Sequence, residues 1–415
     1  MNRSRIALRW VVAAALSALP GGAAAQELPL VGARAVGMGG ASVAAVADES
    51  ALFWNPGVLG VLGGDGTGAE VGASSSRRPA PFSVGLAALG GEQAFNDVGR
   101  AVEELVSIGS SGSLPTYEQA LRLVDGLVRE KWAAAALGNA SVQARFGALA
   151  FGYRVDAEIS GIPRPTLPVE QIDPATIDPA NLPVELVYEG LILHEVPIAY
   201  GYAPTDWLSV GAAAKYLYGQ TLVERTAINQ VDPNDYFGSV FDHFQGSSAF
   251  GLDVGVLVHD AWWQVGLLGR NLTRPSFDLG PEGPVAKLGG SLALEPDVRL
   301  GFALHPAPNV TLAVDLDLLR HGALLDDLLK RGYDVQCISA GVEWLPLDVL
   351  ALRLGILDNF AESDLGPELS AGVGTILGPL RIDLGGQFSF GSSDINAYSL
   401  PEELKVGLSI GFASD

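Results

Sequence analysis

The chain has 415 residues, 25 basic against 47 acidic side chains and a formal net charge of −22. That balance makes nucleic acid a poor partner, and the single cysteine, Cys337, excludes an internal disulfide framework. Hydrophobic residues make up 48% of the chain and glycines number 52, yet after residue 25 no apolar run approaches the ~18 residues of a membrane helix. Two classes remain, a large soluble all-β protein and a transmembrane β-barrel.

Arg3, Arg5 and Arg9 precede an apolar run from Trp10 to Leu19 and small residues up to Ala25. This predicts a secretory signal peptide over 1–25, cut near Ala25, since the apolar core is about half the ~20 residues that span a bilayer. Its removal takes three arginines and no acids, leaving 22 basic and 47 acidic side chains and a formal charge of −25. Residues 26–65 then form a glycine-rich coil. Glycines at 32, 37, 39 and 40 allow positive φ and close approach to a wall, and Asn55-Pro56-Gly57 has the residue types of a tight turn. Such a coil is poorly stable alone and becomes a plug when a barrel encloses it. The alternative is a plain N-terminal cap.

Residues 66–415 are expected to form the barrel. Candidate strands fall at 68–75, 81–90, 141–146, 149–160, 184–203, 207–224, 247–258, 262–271, 292–305, 309–317, 335–345, 348–357, 367–377, 379–390 and 402–412. That is fifteen, and a bacterial single-chain barrel has an even number, so 14 strands are expected, with 16 as the alternative. Two regions differ. Residues 93–137 carry Tyr117, Leu121, Val124, Val128 and Trp132 at helical spacing behind a Thr116-x-x-Gln119 capping box, predicting a helical insertion. Residues 161–183, with six prolines, read as an extended surface loop, and Pro197 is a candidate bend.

Alternation decides for the barrel. Leu380, Ile382, Leu384 and Phe388 share one parity and Arg381, Asp383 and Gln387 the other; Leu404 to Phe412 alternate likewise against Lys405, Gly407 and Ser409. The second face is mostly Gly, Ala and Ser with sparse charges, which suits a crowded lumen better than the wet face of a sandwich. Short links at 203–206, 258–261, 305–309, 345–348 and 378–379 alternate with long ones at 161–183, 225–246, 272–291, 318–334, 358–366 and 391–402. Short periplasmic turns and long outer loops have this pattern. Trp207, Trp262, Trp263 and Trp344 beside short turns fit an aromatic girdle.

Gly32-Ala-Arg-x-x-Gly-Met-Gly-Gly-Ala41, then Ala47-Asp-Glu and Trp54-Asn-Pro-Gly57, resemble the N-terminal signature of the outer-membrane superfamily of FadL long-chain fatty-acid transporters and PorV-type secretion proteins, with Gly57 where alanine is usual. Glu195-Val-Pro-Ile-Ala-Tyr-Gly-Tyr202, Gly269-Arg-Asn-Leu-Thr-Arg-Pro-Ser-Phe277, Leu294-Glu-Pro-Asp-Val-Arg-Leu-Gly301 and Asp315-Leu-Asp317 resemble the TraF-like group within it. The resemblance implies a hatch inside a 14-stranded barrel, with Gly37, Gly39, Gly40, Asn55, Pro56 and Gly57 as hatch or gating residues.

No catalytic or metal-binding set is expected. Histidines 194, 243, 259, 305 and 321 have no ligand spacing, and neither His-Glu-x-x-His nor Cys-x-x-Cys occurs. Interior charges such as Arg299, Arg353, Arg381, Asp315 and Asp383 are expected to pair across the lumen. Acidic loop clusters at Asp232, Asp235 and Asp242, Asp326 and Asp327, and Glu362 and Asp364 read as solvated loops, with cation bridging to lipopolysaccharide as the alternative. The resulting expectation is an outer-membrane protein, without cofactor, that takes up hydrophobic small molecules passively. The rival is a non-transporting interaction barrel working with a secretion or transfer apparatus. A continuous apolar cavity or lateral gap at the hatch would favour uptake; a filled lumen would favour the rival.

Overall fold

The computed structural model describes residues 30–63, 81–95, 133–165, 184–227, 244–279, 290–322, 334–361, 366–390, 392–395, 398–401 and 403–414. Fourteen antiparallel strands close into one barrel. In order they are β1 (Phe82–Phe95), β2 (Ala133–Phe146), β3 (Leu149–Pro165), β4 (Val184–Thr205), β5 (Leu208–Ala227), β6 (Gln245–Asp260) and β7 (Trp263–Arg270), then β10 (Asp297–Ala307), β11 (Val310–Asp317), β14 (Cys337–Leu347), β15 (Leu350–Asn359), β16 (Glu368–Leu377), β17 (Leu380–Ser389) and β20 (Glu403–Ala413). The ring shuts where β1 pairs with β20, Leu86 opposite Ile410. It closes without 68–75, a segment outside the described residues.

Side-chain chemistry explains the closure. On β10, Asp297, Arg299, Gly301 and Ala303 are buried and point inward, whereas Phe302 is 45% exposed. Phe250 (74%), Leu354 (63%) and Ile198 (58%) belong to the same apolar outer band. A continuous apolar exterior of this extent matches lipid rather than water. Links of two residues join β2 to β3, β4 to β5, β6 to β7, β10 to β11, β14 to β15 and β16 to β17, all at one rim. Gly147 and Gly378 supply positive φ in two of these turns. Trp207, Trp262 and Trp344 stand exposed there, as expected of a girdle. The long links contain small hairpins of their own: β8 (Ser276–Leu279) with β9 (Gly290–Ala293), β12 (His321–Gly322) with β13 (Asp334–Val335), and β18 (Ser392–Ile395) with β19 (Tyr398–Pro401).

Two expectations are corrected. Both ends of the predicted helical insertion are strand: β1 runs to Phe95 and β2 begins at Ala133, because Gln93 finds rungs on Ala135 and Glu403. The predicted core of that insertion lies outside the described residues, as do the acidic loop clusters. The proline-rich loop starts later than expected, since β3 continues to Pro165 against Val184. At Pro197 there is no change of register: β4 pairs with β5 throughout, and only the rungs of Val196 and Pro197 to β3 are missing. A residue without an N–H loses a ladder bond locally, so the expected irregularity at Pro197 is a two-rung gap on the β3 side with unchanged register.

Candidate functional site in the barrel lumen

Residues 30–63 lie inside the short-turn half of the barrel. They form three short helices, α1 (Ala33–Gly37), α2 (Ala51–Trp54) and α3 (Val58–Leu62), too short to be stable without enclosure. Their apolar side chains make the main core, with Val36, Met38, Val58 and Leu59 fully buried.

The predicted glycines and the Asn-Pro-Gly turn reach different walls. Gly37 is packed so closely that a Cβ would lie 2.9 Å from Gly372 Cα on β16. Gly39 (φ 66) sits on the backbone of Ile356 on β15, and Gly40 (φ 87) turns the chain away. On the far side, a Cβ on Gly57 would lie 2.8 Å from the Gly255 carbonyl on β6, and one on Gly211 of β5 would lie 2.1 Å from Pro56 O. Gly57 has φ −60 and ψ −30, so contact with the wall, not a left-handed turn, demands glycine there. Asn55 is completely buried; its Nδ2 donates to Val43 O (2.9 Å) and Val256 O (3.2 Å), and its Oδ1 accepts from Gly57 N (2.9 Å). It thereby ties the turn to both segment and wall.

Charge completes the attachment. Arg34 grips Glu343 through Nε–Oε2 (3.0 Å) and Nη2–Oε1 (2.9 Å). Glu343 also receives Arg353 (2.7 Å), Arg353 reaches Asp383 (2.8 Å), Asp383 meets Arg381 (3.0 Å), and Arg381 returns to Asp48 in the segment (2.7 Å). Burial opposes ionisation of Asp48, but the Arg381 guanidinium and the Ser50 hydrogen bonds hold its carboxyl down at about 2. Burial and the neighbouring Asp48 charge push Glu49 up. The interior charges are paired, but not across the lumen as expected: Arg353 and Glu343 are rung partners on adjacent strands, Arg381 and Asp383 share a strand, and part of the remaining partnership is with the segment. Asp315 likewise accepts the backbone N–H groups of Ser42 (2.7 Å) and Val43 (2.9 Å). A polar crevice among Arg34, Asp48, Glu49, Trp54 and Arg381 has room for about one water molecule.

Toward the long loops the lumen changes character twice. A charged belt comes first: Arg154 with Glu195 (2.8 Å), Lys215 with Asp253 (2.9 Å), Arg299 with Asp317, and Arg270 donating to Phe53 O (2.7 Å). Beyond it, against the β4–β5 wall, Leu191, Leu193, Leu217, Phe277, Leu292 and Leu294 form a packed apolar cluster, to which the β8–β9 hairpin contributes from inside, while β16, β17 and β20 carry the buried Glu368, Gln387 and Lys405. Among the described residues no group of three His, Cys, Asp or Glu could hold a metal ion. The sequence reading missed Arg34, Asp48 and Glu49 as attachment points and the hairpin ring Phe277. The inward glycines were its available signal: Gly201, Gly211 and Gly255 stand opposite one another across three strands, as do Gly372, Gly385 and Gly407.

Solved structures share this architecture. The toluene transporter TbuX of Ralstonia pickettii superposes with a TM-score of 0.54 at 13% identity, over 94% of this chain and 100% of that one. The toluene transporter TodX of P. putida gives 0.53 at 13% identity, over 94% and 99%. No curated protein matches in sequence. The family described as F plasmid transfer operon, TraF, protein, matches residues 62–317, which is more than half of the chain. Those residues, which supply much of the closed fourteen-stranded barrel, place this chain in that TraF family.

Proposed function

We propose that this chain is a bacterial outer-membrane barrel for passive uptake of hydrophobic small molecules, exported by a signal peptide cleaved near Ala25. Residues 26–65 act as the hatch and 66–415 as the barrel, in contact with outer-membrane lipid and lipopolysaccharide. One observation carries the reading: on the long-loop side the β4–β5 wall carries an apolar cluster, and on the other side the lumen is stopped by a segment attached through side chains and backbone contact, without a shared sheet. The structural likeness to barrels described as toluene transporters supports it. An apolar molecule entering from the outer face meets a lining that recovers its burial energy. It then meets the charged belt, so passage requires the hatch to shift. Asn55, Pro56 and Gly57, which hold one wall, and Gly37, Gly39 and Gly40, which hold the other, are the gating residues.

The alternative is an interaction barrel serving a secretion or transfer apparatus, favoured by the water-sized crevice beside the hatch. Purification in detergent followed by mass spectrometry separates the two. Co-purified lipid or hydrophobic small molecule is expected. Their absence, together with a stoichiometric protein partner, overturns the uptake reading.

A further inference from the structure

Building on the uptake reading, we propose that the slot against Gly219 binds an uncharged single-ring aromatic molecule, and that Phe277 of the β8–β9 hairpin is the slot's internal occupant. Phe277 is fully buried, although among the described residues its hairpin strands form a two-stranded sheet of their own. Its ring lies on the bare backbone of β5: a Cβ on Gly219 would sit 2.6 Å from ring atom Cδ1. Glycine inside a strand weakens it and marks a place where something must approach closely; here that something is a flat ring.

The surroundings set ring size and charge. Leu191, Leu193 and Leu217 of the wall and Leu292 and Leu294 after the ring pack around it. The next inward residue on β5 below Leu217 is Lys215, paired with Asp253 at 2.9 Å, so the apolar depth ends about one ring down. A long acyl chain would have to cross that pair, and a charged ligand would face an apolar lining without a partner.

Among the described residues, two hydrogen bonds tie the hairpin to the wall. Thr221 Oγ1 donates to Asp278 O (3.1 Å) and Asp278 N donates to Ser247 Oγ (2.9 Å). Its base is spanned by the Leu294 N to Pro275 O bond (2.8 Å) and by the exposed Arg274–Glu295 pair. A free phenyl ring entering the slot buries the same apolar surface that Phe277 gives up, so the exchange is close to balanced. The ring of Phe277 therefore acts as a competitor, lowering apparent affinity by the fraction of time it holds the slot.

The test uses the full-length protein in detergent, with toluene and palmitate as probes, and reads equilibrium binding and hydrogen exchange across 274–279 and 290–295. Toluene should raise exchange of the hairpin in the parent protein, and Phe277→Ala should bind toluene roughly tenfold tighter with palmitate binding unchanged. Toluene binding that leaves hairpin exchange and the F277A affinity unaltered overturns the slot while uptake stands. Failure of parent and variant to bind either probe overturns the uptake reading itself. Exchange in the parent decides the matter even if F277A does not fold.

Discussion

The N-terminal segment and the described part of the β8–β9 hairpin both lie inside the barrel, but buried charge and backbone contact fix the first, while apolar packing of Phe277, Leu292 and Leu294 and two hydrogen bonds to the wall hold the second. The segment's pairs are desolvated, with Glu343 and Asp48 side chains only 5% and 9% exposed. Removing one partner strands the other in a site that cannot solvate it. Among the described residues the hairpin's one ion pair is exposed, Arg274 at 62%, and its buried contact is apolar, so a molecule of similar shape can replace it. The lumen thus has a firm floor and a yielding roof. A route for apolar solutes needs a roof that exchanges contacts readily and a floor that stays shut until something specific moves it.

The largest expected effect comes from the floor. Glu343→Ala leaves Arg34 with Ala45 O (3.0 Å) among its contacts and no carboxylate from the wall, while Arg353 keeps Asp383. Loss of one side of a buried pair costs about 3–5 kcal/mol. Trypsin cleavage after Arg34, absent in the parent, should appear in the folded variant. Unchanged resistance would mean that the glycine contacts alone hold the segment and that the contrast with the hairpin is not electrostatic.

How far this contrast can be read from sequence depends on the range of the interactions. The barrel was legible because a lipid-facing strand writes its environment into its own parity: Leu380, Ile382 and Leu384 look outward whatever their partners are. Two-residue links and girdle tryptophans are equally local. Arg34 and Glu343, by contrast, are 309 positions apart, and nothing near either one marks the other. Wall glycines such as Gly255 and Gly372 were visible as small residues on the inward parity, but their purpose depends on Gly57 and Gly37 arriving opposite them. Phe277 was hidden for the same reason. It sits in a long link after Asn271 and Arg274, both at positive φ, and only the fold reveals that this link turns into the lumen. The strand content of 93–95 and 133–137 was missed because the first stretch pairs with 133–135 at the far end of the predicted insertion, and the further edges, Glu403 on β20 for Gln93 and β3 for 134–137, come from elsewhere in the chain.

Acid sharpens the comparison at intermediate magnitude. Asp48 is held at about 2 against an ordinary 3.8. Its contribution is therefore complete above the unfolded value and is lost as pH falls through about 2. At about 1.4 kcal/mol per pKa unit this is ~2 kcal/mol. Glu49 is raised, so its contribution is complete below its ordinary 4.5 and is lost as pH rises through the folded value. Hydrogen exchange over residues 30–50 should be faster in Asp48→Asn than in the parent at both pH 7 and pH 4, and equal to it near pH 2. Glu49→Gln should be slower than the parent at pH 7 and equal to it at pH 4. The hairpin should be indifferent to both. If both variants loosen the segment at every pH, the two carboxyls hold it by shape and not by charge.

The smallest effect tests the roof. Arg274→Ala removes an exposed pair with Glu295, an interaction of about 0.2–1 kcal/mol in water and weaker in salt. The hairpin base would still keep the Leu294 N to Pro275 O bond, and Phe277 would still rest on Gly219. Exchange at 290–295 should therefore rise by no more than about fivefold in low salt, converge on the parent at 1 M salt, and leave residues 30–50 unchanged. A large rise that ignores salt would place the hairpin's anchorage in the backbone turn at Asn271–Arg274 instead. The roof would then yield at its hinge, and Phe277 would be carried along rather than be the contact that decides.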